Sequence, residues 1–229
     1  MRINRWMATG LAVMAGIVAA GLMTAAGRPL TARAAEEKAV GKEASKDGEG
    51  WVTIFDGKSM DGWKINENQS SWKLAEGALI ANGPRSHAFY VGDKEPFVNF
   101  EFKAEVMTKT NSNGGIFIHT SYQDKDWPKQ GYETQVNNTY NRDPQKTGGL
   151  YNTVKVLEPA AKDNEYWTQH IIVQGKHVVV KINDKTVVDF TEPADKAGPV
   201  KLSSGTFALQ AHDPGSTVYY RNIRVKRLP

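Results

Sequence analysis

The chain has 229 residues, 40% of them hydrophobic, with a formal net charge of +4 and no cysteine. Residues 1–34 hold four arginines and no acids, so the other 195 residues balance 25 basic against 25 acidic side chains. A balanced body has no cationic excess to neutralise phosphates, which argues against nucleic acid as partner, and without cysteine there is no disulfide, thiolate nucleophile or thiolate metal site.

In chain order, Arg2 and Arg5 precede an apolar and small-residue run from Met7 to Ala26, followed by Ala32-Arg33-Ala34. That is the order of a secretory signal peptide, read as residues 1–34 with cleavage after Ala34. The run approaches the length of a membrane span, but Gly10, Gly16, Gly21 and Thr24 and the small-residue site favour cleavage. With no second hydrophobic span and no cysteine to lipidate, no stable membrane insertion is expected after cleavage. The expected location is therefore exported, either periplasmic or extracellular. Residues 35–50, charged, small and glycine-dotted, read as a flexible spacer that buries too little surface to offset chain entropy.

From Trp51 to Pro229 short apolar runs alternate with turn residues every eight to twelve positions, and the one helical-looking stretch, Glu158 to Tyr166, is interrupted by Pro159. This pattern predicts a single all-β domain over 51–229, a two-sheet antiparallel β-sandwich or a barrel. The clearest predicted strand, Phe97 to Met107, puts Val98, Phe100, Phe102, Ala104 and Val106 on one face. Trp167 to Gln174, His177 to Asn183 and Thr186 to Phe190 read as a meander of tight hairpins.

Three further strands gather polar residues on one face. Glu133, Gln135 and Asn137 alternate with Tyr132, Thr134 and Val136; Gln210 and His212 oppose Phe207, Leu209 and Ala211; Phe117 and His119 oppose Ile116 and Ile118. As neighbours these strands would bring Glu133, Gln135, His119, Gln210 and His212 onto one concave face. Arg221 alternates with the apolar side of the last strand, where a guanidinium needs a carboxylate partner or a pocket. Asp124 and Asp126 offer oxygen ligands, but two acids around a lysine lack the density of a calcium loop and read as a solvated turn. No paired-carboxylate glucanase strand, zincin, nucleophile-elbow, P-loop or Rossmann motif is present.

Five segments, Phe55-Asp56-Gly57-Lys58-Ser59-Met60-Asp61-Gly62-Trp63, Asn113-Gly114-Gly115-Ile116-Phe117, Gly131-Tyr132-Glu133-Thr134-Gln135, Leu209-Gln210-Ala211-His212 and Tyr220-Arg221-Asn222-Ile223-Arg224-Val225, resemble in order the motifs of the 3-keto-disaccharide hydrolase domain family. The resemblance implies a concanavalin A-like jelly roll and an exported role in glycan use. His119 departs from it, standing where many relatives resemble an arginine-bearing I-F-x-R. It also implies cleavage of 3-keto-glycosides, in which a C3 ketone acidifies the C2 hydrogen, a base removes it, the C1 substituent leaves and water adds. For that route Glu133, His212 and His119 are the candidate catalytic residues. Gln135, Gln210 and Lys155 are candidates for substrate contact at the C3 oxygen or hydroxyls. A bound divalent metal is an alternative at the C3 oxygen; no cofactor is otherwise implied.

The turn-rich stretch Asn138 to Gly149 is expected to rim the site, with Arg142 and Tyr151 as contacts. Trp127, Tyr140, Tyr151 and Phe117 could alternatively form the aromatic platform of a non-catalytic carbohydrate-binding module. An envelope interaction domain is a third reading. Carbohydrate is the expected partner, and the sequence specifies no oligomeric state.

Overall fold

The computed structural model describes residues 46–229; the predicted signal segment and residues 35–45 of the predicted spacer lie outside the described residues. Fourteen strands follow in order. The first seven are β1 (Lys46–Asp47), β2 (Trp51–Phe55), β3 (Trp63–Ile65), β4 (Trp72–Ala75), β5 (Ala78–Ala81), β6 (Ser86–Tyr90) and β7 (Phe100–Thr108). The rest are β8 (Asn113–Thr120), β9 (Tyr132–Asn137), β10 (Trp167–Gln174), β11 (His177–Ile182), β12 (Lys185–Thr191), β13 (Thr206–Ala211) and β14 (Val218–Arg227). Two short 3-10 turns complete the regular structure, and the described residues contain no α-helix.

The strands form two antiparallel sheets. The larger runs β1-β2-β14-β7-β10-β11-β12, with β5 also on β14 and β4 on β5; the smaller runs β3-β6-β13-β8-β9. Lys46 and Asp47 pair with Val52 and Trp51, so the end of the stretch read as spacer is a strand rather than free chain. The β10-β11-β12 meander forms as the turn residues predict, with Asn183 and Asp184 both at positive φ.

Alternation builds the core. In β7 Phe100, Phe102, Ala104 and Val106 are buried while Glu101, Lys103 and Glu105 are half-buried on the outer face. Val98 does not belong to that series: the strand starts at Phe100 and Val98 is exposed. Phe207 of β13 meets Phe97, Phe100 and Phe102 across the sandwich at ring separations of 4.7, 5.0 and 4.7 Å. Emptying such a position costs about 3–5 kcal/mol.

Bulges in β14 and β8 move two of the residues singled out from the sequence. In β14 the pairing to β7 shifts register between Arg221 and Arg224, and Asn222 adopts φ 48°. Arg221 therefore leaves the core side, binds Glu105 at 2.7 Å and stacks over Tyr166 at 3.6 Å. In β8 the pairing to β13 slips between Thr206 and Ala208, so Ile118 and His119 together face Phe207, and His119 adopts φ 54°.

Candidate functional site

The outer face of the smaller sheet is laid out in rows. His87 of β6 pairs with Gln210 of β13, the Leu209–Ile116 pair sets Gln210 beside Gly115 of β8, and Gly115 pairs with Gln135 of β9. The next row is Phe89, Ala208, Phe117 and Glu133. Gly115 is the gap in the first row. A Cβ there would lie 2.3 Å from Glu133 Oε1, so the Glu133 carboxylate occupies the space above the glycine. Beneath it Tyr220, rising from the other sheet, directs its hydroxyl at the backbone oxygens of Gly115 and Gln210, at 3.3 and 3.2 Å.

A pocket of about 440 Å³ opens over these rows. Its floor includes Asn113, Phe117, Glu133, Gln135 and Gln210, and its walls Trp127, Asp143, Tyr151, Asn152 and His212. Gln210 donates from Nε2 to Glu133 Oε1 at 3.0 Å, and Gln135 from Nε2 to Asp143 Oδ2 at 3.2 Å. Carboxylates accept, so each amide is oriented with one N–H on a carboxylate and its oxygen turned away from it. Their Oε1 atoms and Asn113 Oδ1 are buried without a hydrogen-bond partner. Each unpaired buried acceptor costs about 1–3 kcal/mol, so a floor of three is poised for a ligand that supplies donors. The two glutamines thus offer acceptors where the sequence suggested donors.

Burial pushes the Glu133 carboxyl up to about 8; the Gln210 hydrogen bond opposes this and nearby Asp143 adds to it. At neutral pH it is mostly protonated and the strongest acid on the floor. His212 bonds through Nδ1 to Asp213 Oδ2 at 2.7 Å. Asp213 also accepts from Ser216 Oγ at 2.9 Å and from the Gly215 N–H at 2.8 Å, and burial is outweighed by these bonds, holding it below the usual aspartate value. A carboxylate partner places the neutral imidazole's proton on Nδ1 and leaves the Nε2 lone pair as base. The ring is held between Trp127 and Tyr140 at 5.4 and 5.6 Å.

Of the sequence candidates, the pocket unites Glu133, His212, Gln135, Gln210, Trp127 and Tyr151. His119 is excluded from it. The bulge turns this ring inward, where Nδ1 accepts from the Ser203 N–H at 3.1 Å, Nε2 donates to Val98 O at 2.9 Å and Phe100 packs at its edge. Lys155 and Arg142 are exposed and do not line the pocket. The 138–149 loop does rim the site, but through Asp143 and Tyr140. It is braced by the Lys146 ammonium, which reaches Tyr140 O, Asp143 O and Asn137 Oδ1 at 3.1, 3.3 and 3.4 Å. Asp126 pairs with Arg85 at 3.1 Å, and the described residues contain no group of three or more His, Asp or Glu side chains arranged to hold a metal.

Sequence reasoning passed over Asp143, Asn113, Asp213, Gly115 and His87. Asn113 and Gly115 stand inside a motif already singled out, and Asp143 inside the suspected loop. His87 was detectable from the alternation of Ser86 to Tyr90. It is fully buried under Trp127 with neither ring nitrogen hydrogen-bonded, and burial, reinforced by Arg85 and His212, pushes it down to about 3. Phe117 and Trp127 pack against it in T-shaped contacts at 5.4 and 5.5 Å.

Residues 50–226 match the model of the 3-keto-alpha-glucoside-1,2-lyase-like domain family. The chain belongs to this family. Among curated proteins, the chain is 26% identical to a 3-keto-disaccharide hydrolase of Bacteroides thetaiotaomicron, over 80% of each chain. Among solved structures, a Parabacteroides distasonis protein provisionally named a glycosyl hydrolase superposes with TM-score 0.67 at 22% identity, covering 79% of this chain and 95% of its own. The carbohydrate-binding module CBM66 of Bacillus subtilis shares the fold at TM-score 0.53 and 14% identity, over 72% of this chain and 95% of that one. Membership of the family makes the chain a carbohydrate-hydrolase-like, glycosidase-like protein, on a concanavalin-like jelly roll.

Proposed function

We propose that this chain cleaves the glycosidic bond of 3-keto-glycosides, including 3-keto-disaccharides, by elimination followed by water addition. The observation that carries this reading is the pairing, in one pocket, of a carboxyl protonated at neutral pH with an imidazole oriented as a base. His212 Nε2 takes the C2 proton, and the C2–H electrons form a C2=C3 bond while the C3 oxygen takes the Glu133 proton. A carboxylic acid kept neutral by its surroundings is suited to that donation. The enol then returns its proton to Glu133 and C3=O re-forms. The electron pair shifts to C1=C2 and the C1 substituent leaves with the proton held by His212. Water adds at C1 by the reverse order of transfers, and the net reaction is hydrolysis. Gln135, Gln210 and Asn113 present acceptors to sugar hydroxyls, and Glu133 presents the most acidic proton of the floor to the ketone.

A second reading has one observation in its favour: Asp143 lines the same pocket and acts electrostatically on Glu133. Two carboxyls with separated affinities for the proton can hydrolyse an unoxidised glycoside by acid and base. Incubating the protein with a 3-keto-disaccharide and with its unoxidised parent separates the two by mass spectrometry of products. Cleavage confined to the keto sugar, with C2 hydrogen exchange into deuterated water that is lost in His212→Asn, supports elimination. Cleavage of the parent supports the carboxylate pair, and binding without turnover a carbohydrate-binding module. The leader-like segment 1–34 supports work outside the cytoplasm, testable by fractionating cells and sequencing the mature N-terminus.

A further inference from the structure

Above its oxygen-rich floor the pocket has a mouth of the opposite character. Of seven exposed large hydrophobic side chains among the described residues, three, Trp127, Tyr151 and Val200, line this one pocket, at 41%, 36% and 43% exposure. Scattered exposed hydrophobics are ordinary; three convergent on a polar cavity are not. They come from three separate segments. Trp127 stands beside His87 and His212 on the β6–β13 side. The Tyr151 N–H bonds Glu133 O at the β9 edge. Val200 follows Pro199, whose oxygen accepts from the Gly131 N–H. Pro128 adds a fourth apolar surface.

Trp127 is exposed yet rigidly held. The Gln123 amide donates to the backbone oxygens of Lys125, Asp126 and Trp127, and Arg85, fixed by Glu67 and Asp126, lies 5.3 Å over the indole. An exposed ring ordered in advance gives contact area to a ligand with little further loss of freedom. The mouth lining carries no lysine or arginine, and Asn152 Oδ1 is already occupied by the Gln145 amide. Beyond Asp143, Asn152 and the Tyr151 hydroxyl a second sugar would meet apolar surface there; a flat apolar group would lose unfavourable hydration against two aromatic rings and a valine.

We infer that the group leaving from C1 in the preferred substrate is apolar and aromatic, a phenolic or similar aglycone, rather than a second sugar. This rests on the proposed sugar reading of the floor and adds the chemistry of the mouth. The test uses the full chain carrying Glu133→Gln, so that turnover does not confound affinity, titrated calorimetrically with the 3-keto forms of a phenyl glucoside, a methyl glucoside and a diglucoside. The phenyl ligand is expected to bind roughly tenfold more tightly than either of the others. Val200→Ser and Tyr151→Ser are expected to weaken phenyl binding more than methyl binding. Equal affinity for all three ligands, or tighter binding of the diglucoside, overturns the aromatic preference and leaves the sugar pocket standing. No binding by any of the three overturns both.

Discussion

Gln210 donates to Glu133 across 3.0 Å, although their strands, β13 and β9, are not neighbours. The bond passes over β8 at its bare position, Gly115. It favours the charged carboxylate, yet burial prevails and the group sits at about 8. The site thus holds an acid its own fold would be easier without.

That conflict has a measurable sign. Because the folded value is raised above the ordinary 4.5, the associated stability is full below 4.5 and is lost as pH rises through about 8. Glu133→Gln is expected to flatten this part of the pH–stability curve and to raise stability at pH 8.5 by on the order of 2 kcal/mol, allowing for the pocket's contact with solvent. Turnover of a 3-keto-glycoside should fall by roughly 10²-fold or more in the same variant. Urea unfolding across pH checks the first, and a variant curve parallel to the parent's would refute it.

Gly115→Ala tests the hollow itself. The added methyl meets Glu133 Oε1, a side-chain end able to swing away, so the fold should survive while the carboxylate is evicted. Activity is expected to drop about 10²-fold with the melting temperature within a few degrees of the parent's. Titration of Glu133 by carboxyl NMR should move back toward the ordinary glutamate value.

Asp213→Asn keeps the shape of the support beneath His212 but offers an N–H to Nδ1, which forces the ring proton onto Nε2 and removes the base. A loss of about 10²–10⁴ in kcat, with little change in KM, is the expected kinetic result. A merely structural role for Asp213 would instead lower the melting temperature and leave the pH profile unmoved.

At the far end of the smaller sheet, Glu192 accepts from Tyr132 Oη at 2.8 Å, Lys176 Nζ at 2.7 Å and the Leu202 N–H at 2.7 Å. Burial opposes its charge, but Lys176 and the other donors hold it below the usual glutamate value. Burial likewise lowers His119, which stays neutral. Both folded values lie below their unfolded ones, so both contributions are complete above pH 6.5. The histidine's is lost as pH falls below 6.5, and the glutamate's as pH falls from about 4.5 through its folded value. Removing Glu192 by substitution with alanine is expected to cost about 3 kcal/mol at pH 7 and progressively less in acid, as read by denaturant midpoints.

How far the sequence disclosed this molecule differs between its parts. The sandwich was legible because Phe100 to Val106 obey alternation without interruption and the turn residues of the three-strand meander mark its hairpins. Glu133, Gln135, Gln210 and His212 share a face for the same reason. Alternation failed at His119 and Arg221 because each adjoins a bulge, and one inserted residue with positive φ exchanges the faces beyond it. Asp143 could not be paired with Glu133 from spacing, since a loop braced by Lys146 returns it to the strand. Gly115 was seen as part of a motif, but an absent side chain shows its purpose only when its neighbours are in place.

Tyr220 is fully buried and belongs to β14, a strand of the opposite sheet, yet its hydroxyl lies beneath both residues that shape the acid's position. A site resting on a crosspiece between layers cannot loosen by itself. Small motions of Glu133 relative to Gln210 must either strain that contact or carry the far sheet along. The reactive geometry therefore inherits the stiffness of the whole sandwich, and adaptation to new sugars is left chiefly to the loops around the mouth.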